Sequence, residues 1–130
     1  MNSREPASTK RFYRDLIVWQ RAIELVTAIY RQTTKFADHE RFGLTSQLRR
    51  AAVSVPSNIA EGQLRLTRGE FRQFLGQARG SLLEIDTQIT IAHKLGYLRE
   101  QEYEFLLDRT GEVGKMLNGL IDSMREQARR

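Results

Sequence analysis

Residues 67–98 read TRGEFRQFLGQARGSLLEIDTQITIAHKLGYL. Thr67 and Glu70 have the spacing of a capping box, in which each residue satisfies a backbone donor that the other leaves exposed. Behind them Leu75, Ala78, Leu82, Ile85, Ile89 and Ala92 recur at steps of three and four, with Phe71 and Phe74 widening the start. That spacing keeps one apolar face along a helix. Gly96 stands where a left-handed turn would end it. The stretch predicts one long amphipathic helix.

The same period runs on both sides. From Asp15, the expected N-cap, Leu16, Trp19, Ile23, Val26 and Tyr30 form one stripe, and Val18, Ala22, Leu25 and Ile29 a second beside it. A double stripe suggests burial on two sides, within a bundle or between the bundle and another subunit. Phe36 to Phe42 reads as a connection ending at Gly43. Leu44, Leu48, Ala51, Val55 and Ile59 define another helix, over about 44–64. Pro56 interrupts it, because proline removes the bond to the carbonyl four residues back, at Ala52. A kink or a break near Val55 is expected, with Ser54, Ser57 and Asn58 placed to satisfy freed backbone groups. A last helix from about Glu100 carries Tyr103, Leu106, Thr110, Val113, Leu117, Leu120 and Met124. Its end, 127–130, should fray.

No segment alternates with the period of a strand. The reading is therefore all-α: an antiparallel up-down-up-down four-helix bundle over 15–127, its second helix kinked at Pro56. Residues 1–14, with Pro6 and four basic side chains, are expected to form a flexible basic N-terminal arm. An extended coiled coil would need longer unbroken heptads.

At 130 residues, with 40% apolar side chains, the chain suits one domain. With no cysteine it has no disulfides, thiolate zinc sites or cysteine nucleophiles. The longest aliphatic or aromatic run, Leu16 to Trp19, is far short of the ~20 residues of a membrane span. With no signal-peptide pattern, a cytoplasmic protein with no membrane association is expected. His39 and His93 have no catalytic or metal-ligand partners in a known spacing, and no phosphate loop or GxSxG is present. No enzyme activity, metal or cofactor is expected. A helix-turn-helix reader is disfavoured by helix length.

Charge is the more informative feature. Residues 41–79 hold seven arginines, Arg41, Arg49, Arg50, Arg65, Arg68, Arg72 and Arg79, against Glu61 and Glu70. Guanidinium groups suit bidentate phosphate contact, so Arg49, Arg50, Arg65, Arg68, Arg72 and Arg79 are candidate contacts to RNA or DNA. Arg68, Arg72 and Arg79 share one flank of their helix. The competing reading has these arginines consumed at subunit contacts in a structural assembly or protein adaptor. A single-strand stacking platform would want exposed rings interleaved with the arginines, and none is expected, because Phe71 and Phe74 are read as core. Gly76, Gly80, Leu83 and Thr87 line the far side of the same helix, where two glycines suggest close approach by another copy.

The stretch from Gly43 to Gly62, GLTSQLRRAAVSVPSNIAEG, closely resembles the signature of the four-helix bundle proteins named after intervening sequences of bacterial 23S ribosomal RNA genes. The likeness runs from Phe12 to Leu98, through Glu70-Phe71 and Gly80-Ser81-Leu82-Leu83-Glu84. It implies an antiparallel bundle assembling into a bacterial homo-oligomeric ring, typically a pentamer, without a known reaction. Besides Arg49 and Arg50, the matching signature positions are Pro56, Ser57, Asn58, Glu61 and Gly62. A related branch resembles the accessory protein of diversity-generating retroelements, which implies a reverse transcriptase as a further partner.

Overall fold

The computed structural model describes residues 12–129. It contains four helices: α1 Ile17–Thr33, α2 Leu44–Gln63, α3 Arg68–Lys94 and α4 Glu100–Arg129. The expected arm lies outside the described residues through residue 11. Residues 12–14 belong instead to a 3-10 turn, Phe12–Asp15, where the Tyr13 ring meets Trp19 edge-on at 5.4 Å. Asp15 is thereby taken up in that turn. The residue preceding α1 is Leu16, with no side-chain cap, which corrects the expected Asp15 cap.

Neighbouring helices run in opposite directions. Tyr30 and Thr33, late in α1, meet Arg49, early in α2, while Trp19 and Ile23 share a groove with Ser57 and Ala60 near the end of α2. Ser54 bonds Ser81 across α2 and α3, and the α2 end packs on Phe71 and Phe74 at the start of α3. Thr90 meets Tyr103, and Arg79 meets Asn118, across α3 and α4. Lys35, just past α1, bonds Glu102 at the start of α4, whereas Arg21 faces Glu112.

The core is continuous from Leu25 and Ile29 through Leu48, Val55 and Ile59 to Leu75, Ile85, Ile89, Leu106, Val113 and Leu117. Of the two α1 stripes, Val18, Ala22, Leu25 and Ile29 are buried; Ile23 and Tyr30 remain exposed. Phe36, read as part of a connection, is also buried.

Helix α2 passes through Pro56 as one helix, without splitting near Val55. Pro56 is itself buried, so its ring contributes packing where it removes a hydrogen bond. Ser54 donates to the Ala51 carbonyl and Asn58 to the Ser54 carbonyl, so neither serves the Ala52 carbonyl that proline frees.

Both ends of α3 follow from local chemistry. The Thr67 hydroxyl accepts from the Glu70 amide at 3.1 Å. The Glu70 carboxylate accepts from that hydroxyl rather than from the Thr67 amide, so the box is half closed. At the other end Tyr97 N–H reaches the Ala92 carbonyl and Gly96 N–H the His93 carbonyl, with Gly96 at φ +84°. This pair of bonds is a Schellman motif and requires the left-handed conformation that glycine adopts without strain.

Candidate nucleic-acid interface

The fold divides the candidate arginines into two groups and sets Arg79 apart. Arg49 and Arg50 sit on the first turns of α2; Arg65, Arg68 and Arg72 cluster where α2 passes into α3, at the opposite end of the bundle. Thirteen residues of helical rise separate Arg50 from the end of α2 at Gln63, roughly 20 Å. Arg79 lies on the α4 side of α3, donating to the side-chain oxygen Asn118 Oδ1 at 3.1 Å. No single stripe joins all six.

Their commitments differ too. Arg65 is paired with Glu61 at 2.6 Å and covers the Phe74 ring. Arg49 donates through Nε to Thr33 Oγ1 at 2.8 Å and through a terminal nitrogen to the Tyr30 carbonyl. Among the described residues, the ion pairs of Arg21, Arg65, Arg99, Arg109 and Arg125 leave Arg41, Arg50, Arg68 and Arg72 without a carboxylate partner.

One hollow gathers three of the arginines. Arg41, Arg49 and Arg50 line it together with Tyr30, Phe42, Thr45 and Ser46. Arg49 lies over the Tyr30 ring at 4.5 Å and Arg41 over the Phe42 ring at 5.5 Å, within cation–π range. Tyr30 arrives from α1, Phe42 from the connection and the remaining side chains from α2 or its approach. The sequence expectation of arginines without interleaved rings therefore fails here: antiparallel packing brings the end of α1 against the start of α2. Arg50 also borders an adjoining polar cleft with Gln47, Ser54, Ser81, Glu84 and Gln88.

The connection that carries Arg41 and Phe42 is fastened on both sides. Phe36 is buried and meets the Tyr97 ring at 5.2 Å. Glu40 accepts from the Leu44 amide at 3.1 Å, capping α2, and from the Tyr97 hydroxyl at 2.9 Å. Those two bonds hold the Glu40 carboxyl below the usual carboxylate range, while the nearby carboxylate raises the Tyr97 hydroxyl. Phe42 consequently projects outward, 88% exposed.

The signature positions have structural work to do. Gly62 is buried where α2 meets α3: a Cβ there would lie 2.8 Å from Phe74 Cβ and 2.9 Å from Phe71 Cδ1. Asn58 is bonded to its own helix, Ser57 is exposed and Glu61 is held by Arg65. His39 and His93 lie at the other end of the bundle from Glu61; His39 bonds Tyr97, and His93 bonds Glu100 while stacking on Tyr103 at 4.3 Å. Among the described residues no group of three or more His, Cys, Asp or Glu side chains could hold a metal, and no helix is long and apolar enough to cross a membrane.

The outward face of α3 is open. Nothing lies within 4 Å of a Cβ built at Gly76 or Gly80, Thr87 is exposed, and Leu83 is 67% exposed.

Comparison with known proteins agrees with the residue pattern. The family described as 23S rRNA-intervening sequence protein matches residues 14–119. Among solved structures, the chain is similar to a protein with unknown function from the S23 ribosomal protein family of Bacteroides thetaiotaomicron. The TM-score is 0.76 at 20% identity, over 82% of this chain and 96% of that one. At that identity the likeness speaks to the fold alone. A search of curated proteins gave no match.

Proposed function

This chain belongs to the 23S rRNA-intervening sequence protein family, and we propose that it is a non-enzymatic, nucleic-acid-binding homo-oligomer of the bacterial cytoplasm. The observation that carries this reading is the hollow in which Arg41, Arg49 and Arg50 surround two accessible rings. Arg41 and Arg50 have no carboxylate partner among the described residues, so their charge remains available to phosphate. Arg68 and Arg72 form a second, weaker candidate patch at the opposite end.

Assembly into a ring, with five subunits as the family resemblance suggests, would repeat that hollow around an axis. The open Gly76, Gly80, Leu83 and Thr87 face supports contact between copies, because glycine lets a second helix approach closely. Repetition would raise avidity for a long polyanion without any new contact. A structural assembly or protein adaptor that binds no nucleic acid is the second reading. It is favoured by Arg49, Arg65 and Arg79, whose polar bonds are already made within the chain.

Filter binding of generic RNA and DNA at about 50 and 200 mM salt separates the two. Binding should weaken steeply with salt, and Arg41→Ala with Arg50→Ala should weaken it further. The double substitution should also flatten the salt dependence, by about 0.7–0.9 in log–log slope for each phosphate that is no longer neutralised. No binding at the lower salt leaves the scaffold reading.

A further inference from the structure

A phenylalanine left in water at a fastened position needs a reason. Phe42 is 88% exposed, yet Phe36 is buried before it and Glu40 ties the same connection to Leu44 N and Tyr97. The backbone that presents the ring is therefore fastened, so a bound partner would have less of the chain to order. Arg41 stacks on it, and Arg49 and Arg50 border the same hollow. Flat apolar surface beside unpaired guanidinium groups matches a ligand that alternates flat bases with phosphates.

We infer that this edge selects single-stranded nucleic acid over duplex, with Phe42 as the platform for an unpaired base and Arg41 and Arg50 on the flanking phosphates. The inference rests on the nucleic-acid reading above and deepens it. Duplex bases already stack on one another and present no open face to a protein ring, whereas every unpaired base does. Arg49, with two of its nitrogens committed to Thr33 and Tyr30, contributes charge from a fixed position.

The test measures affinity of the full chain for oligo-U, oligo-dT and a hairpin duplex of about 16 nucleotides, comparing wild type with Phe42→Ala and Phe42→Trp. Wild type should prefer at least one single strand to the hairpin by about tenfold. Phe42→Ala should lose about tenfold on that strand and leave the hairpin unchanged. Phe42→Trp should keep the preference, with its indole fluorescence quenched on binding. If Phe42→Ala weakens strand and hairpin equally, or neither, the strand preference is overturned while salt-sensitive binding through Arg41 and Arg50 stands. A Phe42→Ala protein of lower mass by light scattering would place the ring in a contact between copies and also overturn it. Absence of binding to any of the three would remove the nucleic-acid reading itself.

Discussion

Gly62 and Gly76 are the same residue type in helix interiors, and the structure assigns them opposite roles. At Gly62 an added methyl would press on Phe74 and Phe71 at under 3.0 Å, so overpacking outweighs the helix-propensity gain. Gly62→Ala should destabilise by about 1–3 kcal/mol in denaturant unfolding. At Gly76 and Gly80 nothing stands in the way. Substituting both with alanine should stabilise an isolated chain by about 0.5–1 kcal/mol each. The same pair should weaken assembly if a second copy packs there, which light scattering on the variant reads directly. Sequence spacing put all these glycines in helices, but the distance to a neighbouring helix that separates them is a tertiary quantity.

Caps and clasps decide where elements stop. Thr67 and Gly96 were legible as the limits of α3 because both signals act within a few residues. Thr67→Ala should cost about 1 kcal/mol, measured by thermal or urea unfolding. Glu102 was not legible: its sequence position suggests a solvated first turn of α4, yet it bonds Lys35 after α1 and accepts from the Arg99 amide. These bonds lower its carboxyl to about 2 from 4.5. A carboxyl lowered on folding contributes stability that is present above its unfolded value and lost as pH falls toward the folded one. Between about pH 5 and pH 2 the wild-type melting temperature should therefore fall more than that of Glu102→Gln. Equal slopes would mean that the bonds of the Glu102 carboxylate to Lys35 and Arg99 contribute nothing. Asp15 failed as a cap because the 3-10 turn absorbed it, a competition between adjacent local structures that spacing alone does not resolve.

At the scale of the molecule, four apolar stripes of period three to four were enough to specify an all-α bundle, since each stripe needs the others for burial. The arginine surplus between residues 41 and 79 was equally visible, but its division was not. Helix length carries Arg50 and Arg65 to opposite ends, and chain reversal between α1 and α2 brings Tyr30 beside Arg49. The hint available in sequence was Arg41-Phe42, a large apolar side chain next to an arginine in an otherwise polar connection. The proposed assembly should give several times 15.1 kDa by light scattering at micromolar concentration, and Leu83→Arg should reduce it without loss of helicity. The most direct measurement is ultraviolet crosslinking of a bound oligonucleotide followed by peptide mapping. Crosslinks should fall on Tyr30 and Phe42, beside Arg41 and Arg50; crosslinks confined to the Arg65–Arg72 end would contradict the account.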